Sequence, residues 1–231
     1  MKTKNLNKVM KMMVAAILFC GMSINAQAQK NNYYNTKHEL GISVGAGQNS
    51  DWMSAYGDGW SSIGEAFISS IITGGTMTSY TTWEDKGNIP AISVEYFYHV
   101  NKVIGIGAIA GYSGRSADIY EVTQNNVNKT SDKEKVGDSK KQFITVMPAV
   151  KIDWLRKKNW GLYSKAAVGA TYINEKHNAD GKNESTSDNR VRFNFQATLI
   201  GCEAGTQNIR GFAELGMGEQ GCVLAGIRYK F

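Results

Sequence analysis

Gly221-Cys222-Val223-Leu224-Ala225-Gly226-Ile227-Arg228-Tyr229-Lys230-Phe231 is where the chain stops. Val223, Ala225, Ile227, Tyr229 and Phe231 share one face, and Leu224, Gly226, Arg228 and Lys230 share the other. Period two, with one face apolar and one mixed, marks a half-buried β-strand. The apolar face runs to the terminal carboxylate. A strand of this kind needs neighbours, so the rest of the chain is searched for more of the same pattern.

Seven further alternating segments appear. His38 to Gln48 turns Leu40, Ile42, Val44 and Ala46 one way and Glu39 the other. Ile89 to Val100 alternates Ile92, Val94, Tyr96 and Tyr98 with Ser93, Glu95, Phe97 and His99. The others are Val103 to Ser113, Gln142 to Leu155, Trp160 to Tyr172, Arg190 to Gly205 and Ile209 to Gly218. Pro148 interrupts the fourth strand. Proline cannot donate to a ladder, so a bulge or one missing hydrogen bond is expected there.

The connections alternate long and short. Asn49 to Asn88, Gly114 to Lys141 and Ile173 to Asn189 are long; the turns at Asn101-Lys102, Arg156 to Asn159 and Thr206 to Asn208 are short. With the N-terminus on the periplasmic side, all three long loops fall outside the cell. The fold expected is all-β: an antiparallel, transmembrane, up-and-down barrel of eight strands, with residues 29–231 forming its one domain. No later apolar run reaches the ~20 residues of a membrane helix. In the first long loop, Ile63, Phe67 and Ile71 fit one face of a short helix, with Ala66 between them. A hairpin turning at Gly74-Gly75, with Thr76 to Trp83 as its return arm, is the other reading. It would extend the barrel or raise the count to ten strands.

The N-terminus predicts export. Lys2, Lys4, Lys8 and Lys11 precede an apolar Met12 to Ile24 and an Ala26-Gln27-Ala28 cleavage site, so residues 1–28 read as a signal peptide. Phe19 before Cys20 argues against a lipobox. The whole chain has 26 Lys plus Arg against 20 Asp plus Glu. Four of those lysines leave with the signal, so the mature part is nearly neutral and offers no electrostatic case for nucleic acid. Cys202 and Cys222 fall toward opposite ends of the barrel, too far apart for a bridge, and are expected to be free.

The Ile227, Tyr229 and Phe231 positions resemble the C-terminal assembly signal of bacterial outer-membrane barrels. With eight strands and asymmetric loops, the chain resembles the small outer-membrane barrel family of the OmpA/OmpX kind, and its Asn/Lys-rich loops those of Bacteroidetes-type bacteria. The resemblance implies a place in the cell outer membrane, contact with its lipid, and delivery by the barrel assembly machinery. It implies a structural, adhesive or ligand-contacting role, with extracellular or host partners reached through the long loops. It implies no cofactor.

Three sets of residues carry candidate chemistry. Glu39, Glu95, Lys151, Asp153, Lys165, Arg192, Glu214, Arg228 and Lys230 point inward, as a proton or ion path or as a filled, non-conducting interior. An eight-stranded barrel is just wide enough for side chains to fill it, which favours the second. Lipid A-modifying enzymes of similar size need an imidazole beside a carboxylate. His38 and His99 fall near periplasmic strand ends, and His177 sits with Glu175 and Asp180 in an outer loop. Trp52, Trp60 and Trp83 fall in the first loop, as a binding surface or as that loop's own core. No metal-ligand spacing appears. Gly105 to Gly111 lacks dinucleotide-loop spacing, and Asn128 and Asn183 match a glycosylation pattern without force outside a eukaryotic secretory context. A soluble lipocalin-like barrel would need the apolar faces turned inward.

Overall fold

A computed structural model describes residues 36–179 and 185–231 of the chain. The signal peptide expected over residues 1–28, with Cys20, lies outside the described residues, as do Asp180 and Asn183. Eight strands follow one another around a closed antiparallel barrel: β1 (His38–Ala46), β2 (Met77–His99), β3 (Ile104–Asn125), β4 (Thr130–Arg156), β5 (Trp160–Ala179), β6 (Ser185–Gly205), β7 (Ile209–Gly218) and β8 (Val223–Lys230). One helix, α1 (Asn49–Ile72), joins β1 to β2. The last strand closes on the first, with Leu40 opposite Tyr229, Ile42 opposite Ile227 and Val44 opposite Ala225. The ten-strand alternative is therefore excluded.

The apolar faces point out. Ile42, Val94, Ile106, Val146, Val168 and Ile227 are each about half exposed, while Glu39, Glu95, Lys151 and Arg228 are buried inside. Such a belt needs hydrocarbon around it, which excludes the lipocalin-like arrangement. The belt has edges. At the lower rim the His38 ring stacks on Phe231 at 5.3 Å, and its Nδ1 lies 2.8 Å from the Tyr96 hydroxyl. At the upper rim Tyr112 and Tyr172 face out. Beyond them the outward positions turn polar, at Gln142, Lys140, Asn174 and Lys176.

Pro148 leaves a gap rather than a bulge. The β4–β5 ladder runs to Val146–Ala170 and resumes at Ala149–Ala167 without change of register. True register shifts occur elsewhere, between Asp153 and Leu155 and between Thr198 and Ile200. Each inverts which residues face the lumen from that point on.

Above the belt the expectation of loops is corrected. Strands β3 and β4 stay paired from Ile104–Ile152 up to Asn125–Thr130, so Gly114 to Lys141 is a long hairpin turning at residues 126–129. Strands β5 and β6 pair as far as Asn178–Ser185. Asn49 to Asn88 becomes the 24-residue α1, a turn at Gly74 and Gly75, and the upper half of β2 paired to β3. A helix is present, longer than the spacing of Ile63, Phe67 and Ile71 predicts, and Gly74-Gly75 does reverse the chain. The left-handed φ angles of +61° and +81° at those two glycines end α1, and the Gly75 amide donates to the Ser70 carbonyl at 2.7 Å. The result is a five-stranded sheet, β2 to β6, rising from one side of the barrel. Polar strands outside a membrane need no apolar alternation, so the period-two signal ended where the lipid ended.

Cys222 is free and exposed, with its Sγ 3.3 Å from the Gly47 carbonyl. The expectation of a free thiol holds for Cys222, and Cys202 does not stand free. Cys202 lies on the outer, part-exposed side of β6 near the lower rim.

Candidate functional site

The lumen is built in layers. Its lower half is an ion-pair network centred on Arg228. The guanidinium touches four carboxylates: Glu203 at 2.7 Å, Glu39 at 3.6 Å, Glu214 at 3.7 Å, and Glu95 through a short charge-assisted bond. It also lies 4.2 Å from the centre of the Phe212 ring and 4.8 Å from that of Tyr163. Strand β8 brings Arg228 inward because Ile227 and Tyr229 on either side face lipid. The parity that makes the strand half-apolar thus places the charge.

Each carboxylate has further cations. Glu39 accepts from Lys151 at 2.6 Å and is ion-paired with Lys230 at 2.8 Å. Lys165 bridges Glu95 and Glu214, at 2.8 Å each, and the Tyr163 hydroxyl donates to Glu214 at 2.7 Å. Asp153 lies 3.3 Å from Lys151. The side chains of this set are essentially dry, with Lys151, Lys230 and Arg228 at 0% exposure. Charges that have lost water are tolerated only when paired this closely.

Of the residues expected inward, Glu39, Glu95, Lys151, Asp153, Lys165, Glu214, Arg228 and Lys230 meet in this network. Arg192 does not. It stands on β6 above the belt, part exposed, with its guanidinium 3.7 Å from the Met53 sulfur of α1. The strand continues past the upper rim there, so an inward-pointing residue meets the helix rather than the lumen.

Sequence reading missed two central members. Glu203 binds Arg210 at 2.6 Å, as well as Arg228 and Lys230. Counting by twos from Thr198 puts Glu203 on the lipid face, and the bulge at Thr198/Ile200 turns it inward. The available signal was a carboxylate aimed at hydrocarbon, which is unfavourable enough to imply a parity shift. Arg156 was placed in a turn. The bulge at Asp153/Leu155 instead buries it, 3.6 Å from Glu39, with Nη2 donating to the Thr36 carbonyl. Arg210 also closes the floor by donating to the carbonyls of Lys157 and Lys158 at 2.8 and 2.7 Å.

His99 lies in the floor between Glu39 (2.8 Å) and Asp153 (3.4 Å). These three could offer one ligand atom each to a metal. Lys151 lies within 3.3 Å of both carboxylates, and Lys230 and Arg156 also reach Glu39, so the positions a cation would take already face fixed positive charge. The donor set does not fit a metal ion.

Above the floor, Phe97, Ile109, Met147, Ala149 and Ala167 form an apolar slab. Over it sits a polar plug from the β7–β8 turn. Glu219 accepts from the Ser50 amide at 3.1 Å, the Ser50 hydroxyl at 2.8 Å and Asn194 Nδ2 at 2.7 Å. Burial raises the Glu219 carboxyl above the usual carboxylate range, and these hydrogen bonds offset part of the rise. A cavity of about 10 Å³ beside Glu219 is room for one water.

The three histidines are dispersed. His38 belongs to the lower aromatic rim and His99 to the floor. His177 stands on β5 with Nε2 3.1 Å from Glu175, a carboxylate shared with Lys141 and Arg190 at 3.0 Å each. Trp52 and Trp60 lie on the exposed side of α1, at 70% and 57% exposure, whereas Trp83 is part-buried on β2 opposite Ile119.

No family model matches the chain, and no curated protein matches its sequence. Solved structures resemble it in fold. Ail, the attachment invasion locus protein of Yersinia pestis, crystallised with the heparin analogue sucrose octasulfate, shares 14% identity at a TM-score of 0.43, over 84% of this chain and 99% of Ail. A de novo designed transmembrane β-barrel shares 12% identity at a TM-score of 0.34, over 89% of this chain and all of the design. The N-terminal β-barrel domain of Pseudomonas aeruginosa OprF shares 8% identity at a TM-score of 0.37, over 85% of this chain and all of that domain. Each likeness is to a barrel fold and, at these scores, a loose one.

Proposed function

We propose that this protein is an integral outer-membrane barrel with a non-conducting interior. It is exported through cleavage of residues 1–28 and delivered by the barrel assembly machinery, with Ile227, Tyr229 and Phe231 as the assembly signal. Its role is structural or adhesive, exerted by the sheet and helix that stand above the lipid belt. One observation carries this reading: the charges of the lumen are dry and matched, with Arg228 at 0% exposure among four carboxylates. An ion crossing this level would have to break buried pairs, each expensive to separate. The apolar slab and the Glu219 plug fill further parts of the lumen. Any ligand is met outside the barrel, on the raised part of the molecule.

Planar-bilayer recording on the refolded protein tests the reading. No conductance steps above the lipid baseline are expected. Regular steps would overturn the closed interior. Fractionation with a boiling-dependent gel shift tests the location; a soluble band with no shift would overturn the barrel itself.

A further inference from the structure

Helix α1 is amphipathic in an unusual sense: its polar side faces the rest of the protein. Asp58, Ser62, Glu65, Ser69 and Thr73 follow at intervals of four, three, four and four residues, which is one helical stripe. Asp58 reaches inside the raised sheet, to Lys141 at 3.1 Å and Arg115 at 3.5 Å. The other four serve the free edge of β2, which has no strand beside it above Ala91. Ser62 donates to the Thr81 carbonyl, and Glu65 accepts from the Thr81 amide at 2.7 Å. Ser69 bonds both the amide and the carbonyl of Ser79 at 2.8 Å, and Thr73 does the same for Met77. The edge is thereby protected from pairing with another chain.

The opposite side of α1 carries Trp52, Tyr56, Trp60, Ile63, Phe67 and Ile71, each 57–70% exposed. Trp52 and Ile63, Tyr56 and Phe67, and Trp60 and Ile71 are each eleven residues apart, a period of about 3.67 that keeps the stripe almost straight along the axis. Met53 and Ile68 widen it. The stripe has no charge, because the acidic residues Asp51, Asp58 and Glu65 lie toward the barrel and α1 contains no Lys or Arg. Gly57 and Gly64, one heptad apart, flank Trp60 on this side. A Cβ at either would meet nothing within 4 Å, so the single chain has no steric need for them. Glycine there only weakens the helix unless another backbone approaches closely.

We propose that a second copy of this chain covers the stripe, α1 packing in parallel on α1 about a two-fold axis along the membrane normal. The proposal rests on the reading that the raised sheet stands outside the membrane. Copies held in one membrane share one orientation, so identical stripes meet at the same height. The uncharged face meets its own copy without repulsion. Its eight large side chains expose on the order of 1,000 Å² per copy, enough to supply the ~800 Å² that each partner of a stable interface buries. A lipid surface fits less well. Interfacial helices draw on Lys and Arg beside their apolar face, and the acidic α1 has none.

The test is a photo-crosslinking residue in place of Trp60, Phe67 or Ile71, with Lys133 on the raised sheet as an off-stripe control, in the full chain in cell envelopes. Adducts of two copies joined α1 to α1 are expected from the three helix positions and not from Lys133. Trp60→Glu with Phe67→Glu should lower the Ile71 adduct at least tenfold while the boiling-dependent gel shift persists. Should that double variant lose its shift, the mass of the wild-type particle in detergent decides: two chains support the proposal and one chain overturns it. Adducts to lipid or to another protein, or none, also overturn it. A wild-type protein with no gel shift would defeat the barrel reading, whereas a shift without adducts defeats only the helix proposal.

Discussion

Arg228 and Asp118 each sit between opposite charges, one in the lumen and one on the raised sheet. Arg228 has four carboxylates and no exposure to solvent. Asp118 has Lys135 at 2.9 Å and Lys86 at 3.4 Å, on lysines that are 36% and 62% exposed. Removing one partner of a dry pair strands a charge, whereas removing one partner of a wet pair hands it to the solvent. The lower half of the molecule is therefore intolerant of single changes, and the upper half is held by many small and replaceable contacts.

The largest break should come from Arg228→Met. It leaves Glu39, Glu95, Glu203 and Glu214 short of a shared cation and should cost ~3–5 kcal/mol, read as a lower urea midpoint for the gel-shifted form. A midpoint within error of wild type would mean that water reaches the lumen. Gly201→Ala comes next. A Cβ there would lie 2.5 Å from the ring carbons of Tyr163, which is fully buried and bonded to Glu214. Displacing that ring should cost ~1–3 kcal/mol in the same measurement.

In the upper half, Ser69→Ala removes both contacts to Ser79 and should cost about 1 kcal/mol. Its signature is local: faster hydrogen exchange at the Ser79 amide, with the lower barrel unchanged. Glu219 joins the two halves, and its raised carboxyl sets the sign of a pH effect. Its contribution to stability is fully present below the unfolded carboxylate value and is lost as pH rises through the higher folded value. The protection factor of the Ser50 amide, corrected for intrinsic exchange, should therefore rise on acidification, and Glu219→Gln should abolish that rise. The smallest effect belongs to Asp118→Asn. The Lys135 hydrogen bond holds that carboxyl below its usual range, so its contribution is present above the unfolded value and lost as pH falls through the folded one. With water at the site, no shift in the unfolding midpoint is expected; a clear drop would mean the raised sheet is less solvated than its exposure indicates.

Legibility followed the solvent. Between Leu40 and Val44, or Ile144 and Trp154, lipid on one side and a packed lumen on the other impose period two, and the strands read directly from the residues. Above Tyr112 and Tyr172 the sheet is rich in polar residues on both faces, so Arg115 to Asn125 and Thr130 to Lys140 resemble a loop although they pair along their length, with one bulge between Ile119 and Tyr120. The helix showed itself at Ile63, Phe67 and Ile71, but its full length depends on Ser62, Glu65 and Ser69 finding the free edge of β2. No periodicity announces that partner.

The sequence by itself determined the eight strands, their order and the inward direction of Arg228, because alternation is a local property enforced at every residue by the two solvents of a membrane barrel. Only the tertiary structure decided that Glu203 and Arg156 join the network, that Arg192 leaves it, and that α1 turns its apolar side away from the barrel. Those outcomes hang on two bulges and on an edge left unpaired by the shortness of β1, β7 and β8, and each is settled by segments distant in the chain.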